Sequence, residues 1–288
     1  MKTSIIILTR FNLKLYTTDK NRVETLSDKW MQDRFDLFYT YCLPSVKNQS
    51  IQLFKWICLF SDNTSDYWKG RILDISNEYK NFCPCYLNDI QTKKYMEYIN
   101  ETIRCIADEE NADRIITIRL DNDDAIHESF VESVFTECEK LIENTMILSF
   151  KNGIQYFVNE HMVLEFPWES NHFLILVQDT KNIQLNNILS FNHYQIKKSG
   201  LPFRCLNTDL PMWMEIVHSS NVVNDIVVRK LCKIVNKQAL NNRKFDFGFN
   251  ILVSNRPLIY QYLCIYFPKY INKIVRKTSL FTQILHKS

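Results

Sequence analysis

Residues 114–124 read Arg-Ile-Ile-Thr-Ile-Arg-Leu-Asp-Asn-Asp-Asp, an apolar run that ends in three carboxylates, Asp121, Asp123 and Asp124. A run this apolar is ordinarily buried in a sheet, and carboxylates are rarely buried unless they are paired or bind a metal. On an extended backbone, side chains two residues apart share a face, so Asp121 and Asp123 project together. Two hard oxygen ligands so placed can share one Mn²⁺ or Mg²⁺, and that ion would accept the oxygens of a diphosphate. The competing reading is an Asp-rich turn after a strand, since Asp and Asn favour turns.

A second stretch, residues 207–218, carries Asp209, Glu215 and His218. Either acid is a candidate general base for a hydroxyl proton. A lone histidine is more often structural than a ligand. Further polar residues follow two other apolar runs: Arg10 and Asn12 after the first, Asp62 after the second. The planar fork of Arg10 can hold diphosphate oxygens or a nearby acid, and Asp62 can read a nucleotide or cap a turn. Open α/β sheets bind ligands at the carboxyl ends of their strands. Polar residues at three successive strand ends therefore outline a nucleotide-binding crevice.

The elements that must position these groups alternate. Apolar β runs at 2–9, 53–60 and 114–120 are separated by helical patterns at 26–40, 67–79, 95–110 and 128–143, with Pro44 opening a further helical turn. Short β runs at 146–150, 154–157, 162–166 and 173–176 suggest hairpins beside a parallel core, and 212–218 reads as a helix or a turn leading to one. The expected architecture is α/β: a Rossmann-type, mostly parallel sheet flanked by helices, with added β-hairpins and a basic helical C-terminal segment. The expected division is a catalytic domain over 1–224 and an extension over 225–288.

Composition narrows the chemistry. A 288-residue chain that is 46% hydrophobic can bury a large core. Its four glycines exclude a glycine-rich phosphate loop or dinucleotide fingerprint. Nine scattered cysteines, with Cys83 and Cys85 too close for a zinc knuckle, read as reduced thiols in a cytosolic protein. The apolar run 4–8 is too short for a secretory signal, and no eighteen-residue apolar run occurs. From 225 to 288, twelve Lys or Arg face two acids, a net +10; the remaining 23 basic and 30 acidic residues give −7. Tyr260, Tyr262, Tyr266, Phe267 and Tyr270 lie among those basic residues. That mixture suggests an anionic membrane surface at the inner face of the cell as a partner. Nucleic acid is not an expected partner.

Several short motifs in fixed order carry a resemblance. They are Thr9 to Asn12, Leu43 to Val46 with Gln49, Phe54 to Trp56, Thr117 to Asp124, Gly153 to Tyr156, and Pro211 to Trp213 with His218 and Asn221. Over roughly residues 7–221 the chain resembles the GT-A class of glycosyltransferases, and more closely a rhamnosyltransferase family related to the family 2 enzymes. The resemblance implies a nucleotide-sugar donor, a divalent metal (Mn²⁺ or Mg²⁺) and transfer of the sugar, rhamnose by the family's label, to a hydroxyl of a glycan or lipid-linked acceptor in surface polysaccharide synthesis. It implies that Asp121 faces the donor ribose or a metal-bound water, that Asp123 binds the metal, and that His218 adds a late ligand. Arg10, Asn12 and Asp62 would hold the nucleotide; Asp209, or else Glu215, would be the base. Clustered aspartates also serve metal-dependent phosphohydrolases and nucleotidyl transferases, although no further acid cluster completes a two-metal cage here. A non-catalytic nucleotide-sugar-binding protein would keep the same fold.

Overall fold

A computed structural model describes residues 1–15, 24, 26–181, 184–218, 233–235, 245–255, 257 and 261. Eleven strands and six α-helices are built from them. They are β1 (Thr3–Arg10), α1 (Asp28–Leu37), α2 (Leu43–Lys47), β2 (Lys55–Ser61), α3 (Asp66–Glu78), β3 (Phe82–Leu87), α4 (Asp89–Lys93), α5 (Tyr95–Glu109), β4 (Arg114–Arg119), β5 (Ala125–Ile126), α6 (Phe130–Glu139), β6 (Thr145–Phe150), β7 (Gly153–Phe157), β8 (Met162–Glu165), β9 (Ile175–Asp179), β10 (Phe203–Leu206) and β11 (Trp213–Val217).

The main sheet runs β10-β6-β9-β4-β1-β2-β3. Every pairing in it is parallel except those of β9, which runs antiparallel to both β4 and β6. This is the mostly parallel α/β sheet expected from the sequence. The central strand explains why its sequence is uninterruptedly apolar. Ile5 and Ile7 of β1 face one core and Ile6 and Leu8 the other, and all four are buried. A strand covered on both faces has no solvent side to alternate with. Trp30 and Phe35 of α1, Phe38 just beyond it and Trp68 of α3 fill the first core with Leu43 and Val46 of α2; α5 supplies Ile99, Ile103 and Ile106 to the second.

Three elements depart from the sequence expectations. Strand β3 was not expected, and its Pro84 is tolerated because β3 lies at the sheet edge, where a missing N–H breaks no second ladder. The helical pattern at 26–40 continues through a π-helical turn (Phe38–Cys42) into α2. Pro44 has no N–H for the preceding turn, and a widened turn just before it lets the chain stay helical. Residues 213–217, expected as a helix or turn, instead form β11 in a second sheet of order β5-β11-β7-β8. There β11 lies parallel to β7, and β8 closes the expected hairpin. Gly153 of β7 faces Trp213 directly: a Cβ there would fall 2.1 Å from the indole.

The second sheet covers its own core of Ile154, Tyr156, Val163, Met214 and Ile216, which Val235 and Phe247 complete. Ile234 bridges to Leu164, and the Ser254 amide donates to the His161 carbonyl at 2.8 Å. Gly248 takes φ +78° with its α-carbon so close to Pro44 that a Cβ would lie 2.6 Å from the Pro44 oxygen. The described parts of the 225–288 segment thus pack against the second sheet. The helical and membrane-facing expectations fall mainly on residues outside those described. Among the described residues no helix is long and apolar enough to cross a membrane, and the seven described cysteines are free.

Candidate active site

The ladder of β1 with β4 ends side by side, Leu8 opposite Arg119, and the Leu120 amide donates to the Leu8 carbonyl at 3.1 Å. Arg10 and residues 121–124 therefore leave the same edge of the sheet. Because β9 runs the other way, its approach, Asn171 to Leu174, begins at that edge, and the Arg119 amide donates to the Leu174 carbonyl at 3.0 Å. Antiparallel β9 is what delivers His172 to the aspartates.

Each aspartate has its own cation. Asp121 accepts from Arg119 Nη2 at 2.9 Å and has Arg10 Nη2 at 3.7 Å, with 30% of its side chain exposed. Desolvation alone would raise its pKa, but Arg119, Arg10 and His172 outweigh it and hold the carboxyl well below the usual range. Asp123 Oδ2 accepts from Arg34 Nη1 at 2.6 Å and lies 2.9 Å from His218 Nε2. Burial again opposes ionisation, and Arg34 with His218 keeps Asp123 below its ordinary value. Asp124 Oδ1 accepts the Ile216 amide at 2.9 Å, tying the strand end to β11, while Oδ2 lies 2.8 Å from His172 Nε2. Burial is the largest influence on Asp124; with the charges of Asp123 and Asp121 it outweighs His172 and pushes the carboxyl up to about 7. Burial disfavours the His172 imidazolium, but the bond to Asp124 and that group's charge more than offset it and raise its pKa. Asp124 and His172 accordingly keep a proton between them into the neutral range.

The scaffold around these groups is fixed by buried amides. Asn122 Nδ2 donates to the Phe11 carbonyl at 3.0 Å, and Asn122 Oδ1 accepts from Arg34. Asn171, fully buried, donates to Ser149 Oγ, the Phe150 carbonyl and the Trp168 carbonyl, and accepts the Phe173 amide. Its bonds hold the loop that carries His172.

The sequence-predicted residues distribute as follows. Arg10, Asp121, Asp123 and His218 reach the common edge. Asn12 is buried, donates to Thr64 Oγ1 and accepts the Ser61 amide, so its amide is committed to joining the ends of β1 and β2. Asp62 is exposed directly after β2. Glu215 is buried on β11 and accepts from Gln155 Nε2 at 2.7 Å. Asp209 is exposed in the loop between β10 and β11. Sequence reasoning missed Arg34, Arg119 and His172.

A divalent ion needs several hard donors that can converge. Among the described residues, the three-donor group whose ligand atoms all lie within 4.8 Å of one another is Asp121, Asp124 and His172. Asp123 and His218 pair with each other but do not join Asp121 in such a group. Two carboxylates and an imidazole suit Mn²⁺ better than Mg²⁺.

Comparison with known proteins then decides the family. The model of the family described as "Putative rhamnosyl transferase" matches residues 4–230. The chain belongs to that family. Its members are glycosyltransferases, as the motifs from Thr9 to His218 implied. No curated protein matches the chain. Among solved structures, the chain is similar to S. aureus TarS 1-349 in complex with UDP-GlcNAc, at 11% identity and a TM-score of 0.42, covering 77% of this chain and 60% of that one. A longer S. aureus TarS structure gives 14% identity and a TM-score of 0.41, covering 75% of this chain and 37% of that one. The chain thus spans less than two thirds of these structural relatives.

Proposed function

We propose that this glycosyltransferase moves a sugar from a nucleoside-diphosphate sugar to a hydroxyl of a glycan or lipid-linked saccharide, with help from a divalent metal, during surface polysaccharide synthesis. The observation that carries the reading is the edge of the main sheet, where Arg10 and Arg119 flank the part-exposed Asp121 beside Asp124 and His172. Two guanidiniums at an open strand end are suited to diphosphate oxygens, which they can engage through paired N–H groups. Asp121, Asp124 and His172 would hold the metal, with Asp123 and His218 as the neighbouring pair. When bound, such an ion offsets the charge that develops on the departing nucleoside diphosphate. Arg34 keeps Asp123 ionised and oriented toward His218. Rhamnose as the donor sugar rests on the family's name.

The acceptor hydroxyl must lose a proton as the new bond forms. Of the two sequence candidates, Asp209 is exposed and Glu215 is buried against Gln155, which favours Asp209 as the base. The basic 225–288 segment, with a net +10, would keep the enzyme at an anionic membrane surface near a lipid-linked acceptor.

The test is incubation of the full chain with UDP-, dTDP- and GDP-sugars and Mn²⁺, followed by detection of nucleoside diphosphate. Release from one of them supports the reading. Release of inorganic phosphate from simple phosphate esters instead would replace it with a phosphohydrolase.

A further inference from the structure

The loop before β9 presents an aromatic surface that the donor chemistry does not use. Trp168 packs by one side on the main core through Phe166, at 6.0 Å between ring centres. Beyond it, the short 3₁₀ segment His193–Lys198 brings two rings alongside. Trp168 lies 5.6 Å from His193 and 6.0 Å from Tyr194, and His193 and Tyr194 are 3.9 Å apart. Tyr194 is 63% exposed, an unusual state for a large ring already packed on two others. The cluster adjoins the acidic edge directly, for His193 is 6.0 Å from His172.

Two features make this surface a built one. The Trp168 amide donates to the Lys151 carbonyl at 2.8 Å and its carbonyl accepts from buried Asn171 at 2.8 Å, so the loop is pinned on both sides of the ring. The same Asn171 fixes the approach to His172, so the rings and the metal-ligand candidates are held in one frame. An imidazole beside two aromatic rings can exchange hydrogen bonds with hydroxyls while the rings cover C–H faces.

We propose that Trp168, His193 and Tyr194 form the acceptor subsite, a platform on which a pyranose ring stacks its apolar face next to Asp121 and His172. The inference rests on the glycosyltransferase reading for its occupant, a neutral sugar ring, and on the geometry for its location. A rigid, ring-lined ledge beside a charged crevice divides the labour as transfer requires: the crevice takes the diphosphate and the ledge takes the polyol.

The test uses the full chain labelled with 5-fluorotryptophan, in which five tryptophans give separate fluorine signals and Trp168→Phe identifies the one from Trp168. The probes are methyl α-L-rhamnopyranoside and methyl α-D-glucopyranoside, added without nucleotide. The expected result is a saturable shift of the Trp168 signal with at least one probe. Tyr194→Ala should then weaken binding roughly tenfold, the equivalent of about 1.4 kcal/mol, while Tyr194→Phe retains it. Tyr194 is exposed, so loss of its ring does not threaten folding. No shift with either probe, or the same titration curve in Tyr194→Ala, overturns the subsite. Nucleotide-sugar binding measured on the same sample separates the two claims. A silent Trp168 signal with nucleotide-sugar binding intact removes the subsite alone, and a saccharide response without nucleotide-sugar binding removes the donor reading alone.

Discussion

Replacing Arg34 by alanine tests how the acidic edge is held. Arg34 and Asp123 are joined at 2.6 Å with side-chain exposures of 7% and 15%, so both charges are largely out of water. Removing one partner of a buried pair leaves the other uncompensated, at a cost of about 3–5 kcal/mol. An exposed pair would cost only about 0–1 kcal/mol. Here the low end of the larger range applies, because Asp121 and Asp124 repel Asp123 and water cannot easily replace the guanidinium, while His218 Nε2 still lies 2.9 Å from the carboxylate. The expected loss is a large share of a total stability of about 5–15 kcal/mol. The pH dependence carries a sign. The folded-state pKa of Asp123 is depressed, so its stabilising contribution is present above the unfolded carboxylate value of about 3.9 and is lost as pH falls through the folded value. The gap between wild type and Arg34→Ala should therefore be widest near neutrality and narrow in acid. Urea unfolding at pH 7 and below about pH 3 measures both values, and the Arg34→Ala/Asp123→Asn double variant should recover part of the loss. A neutral-pH deficit under about 1 kcal/mol, or one that does not shrink in acid, refutes the buried-pair reasoning.

Other variants probe the remaining parts. Asp209→Asn should lower kcat steeply with little change in donor KM, and Glu215→Gln should lower it less; the reverse order in steady-state kinetics moves the base to Glu215. Gly153→Ala should destabilise by about 3 kcal/mol or more, because a methyl 2.1 Å from the Trp213 indole forces β7 and β11 apart; an unchanged melting temperature contradicts that packing. Asn171→Ala should cost about 1–3 kcal/mol through the buried partners it leaves, and should lower transfer more than donor binding because His172 and Trp168 lose their common anchor.

Much of this arrangement can be read in the sequence, and the misses have physical causes. The central strands were legible because two-sided burial makes β1 and β4 continuous apolar runs, and the aspartates because three carboxylates after such a run demand a purpose. Residues 82–87 hid a strand because Pro84 sits in the middle of the run, and only an edge position tolerates a proline there. Residues 213–217 were ambiguous because a short run buried on both faces has no period to distinguish strand from helix turn. His172 has no motif spacing to Asp121; its place depends on β9 running antiparallel, a topological fact that no local pattern contains. Arg34 looked like one charge on an amphipathic helix, and only the docking of α1 over the strand ends makes it a partner of Asp123. The reverse holds for Asn12, whose motif position suggested a ligand contact although its amide ties β1 to β2.

The account turns on whether the acidic edge binds nucleotide-sugars through a metal. A ligand that binds the folded state raises its melting temperature, by an amount set by its concentration relative to Kd. The decisive measurement is therefore the melting temperature of the full chain with UDP-, dTDP- and GDP-sugars, each with Mn²⁺ and with a chelator, in wild type and Asp121→Asn. The prediction is a rise with at least one sugar nucleotide in Mn²⁺, abolished by the chelator and by the substitution. A melting temperature that no sugar nucleotide moves, or a rise that survives both chelation and Asp121→Asn, would contradict the central claim.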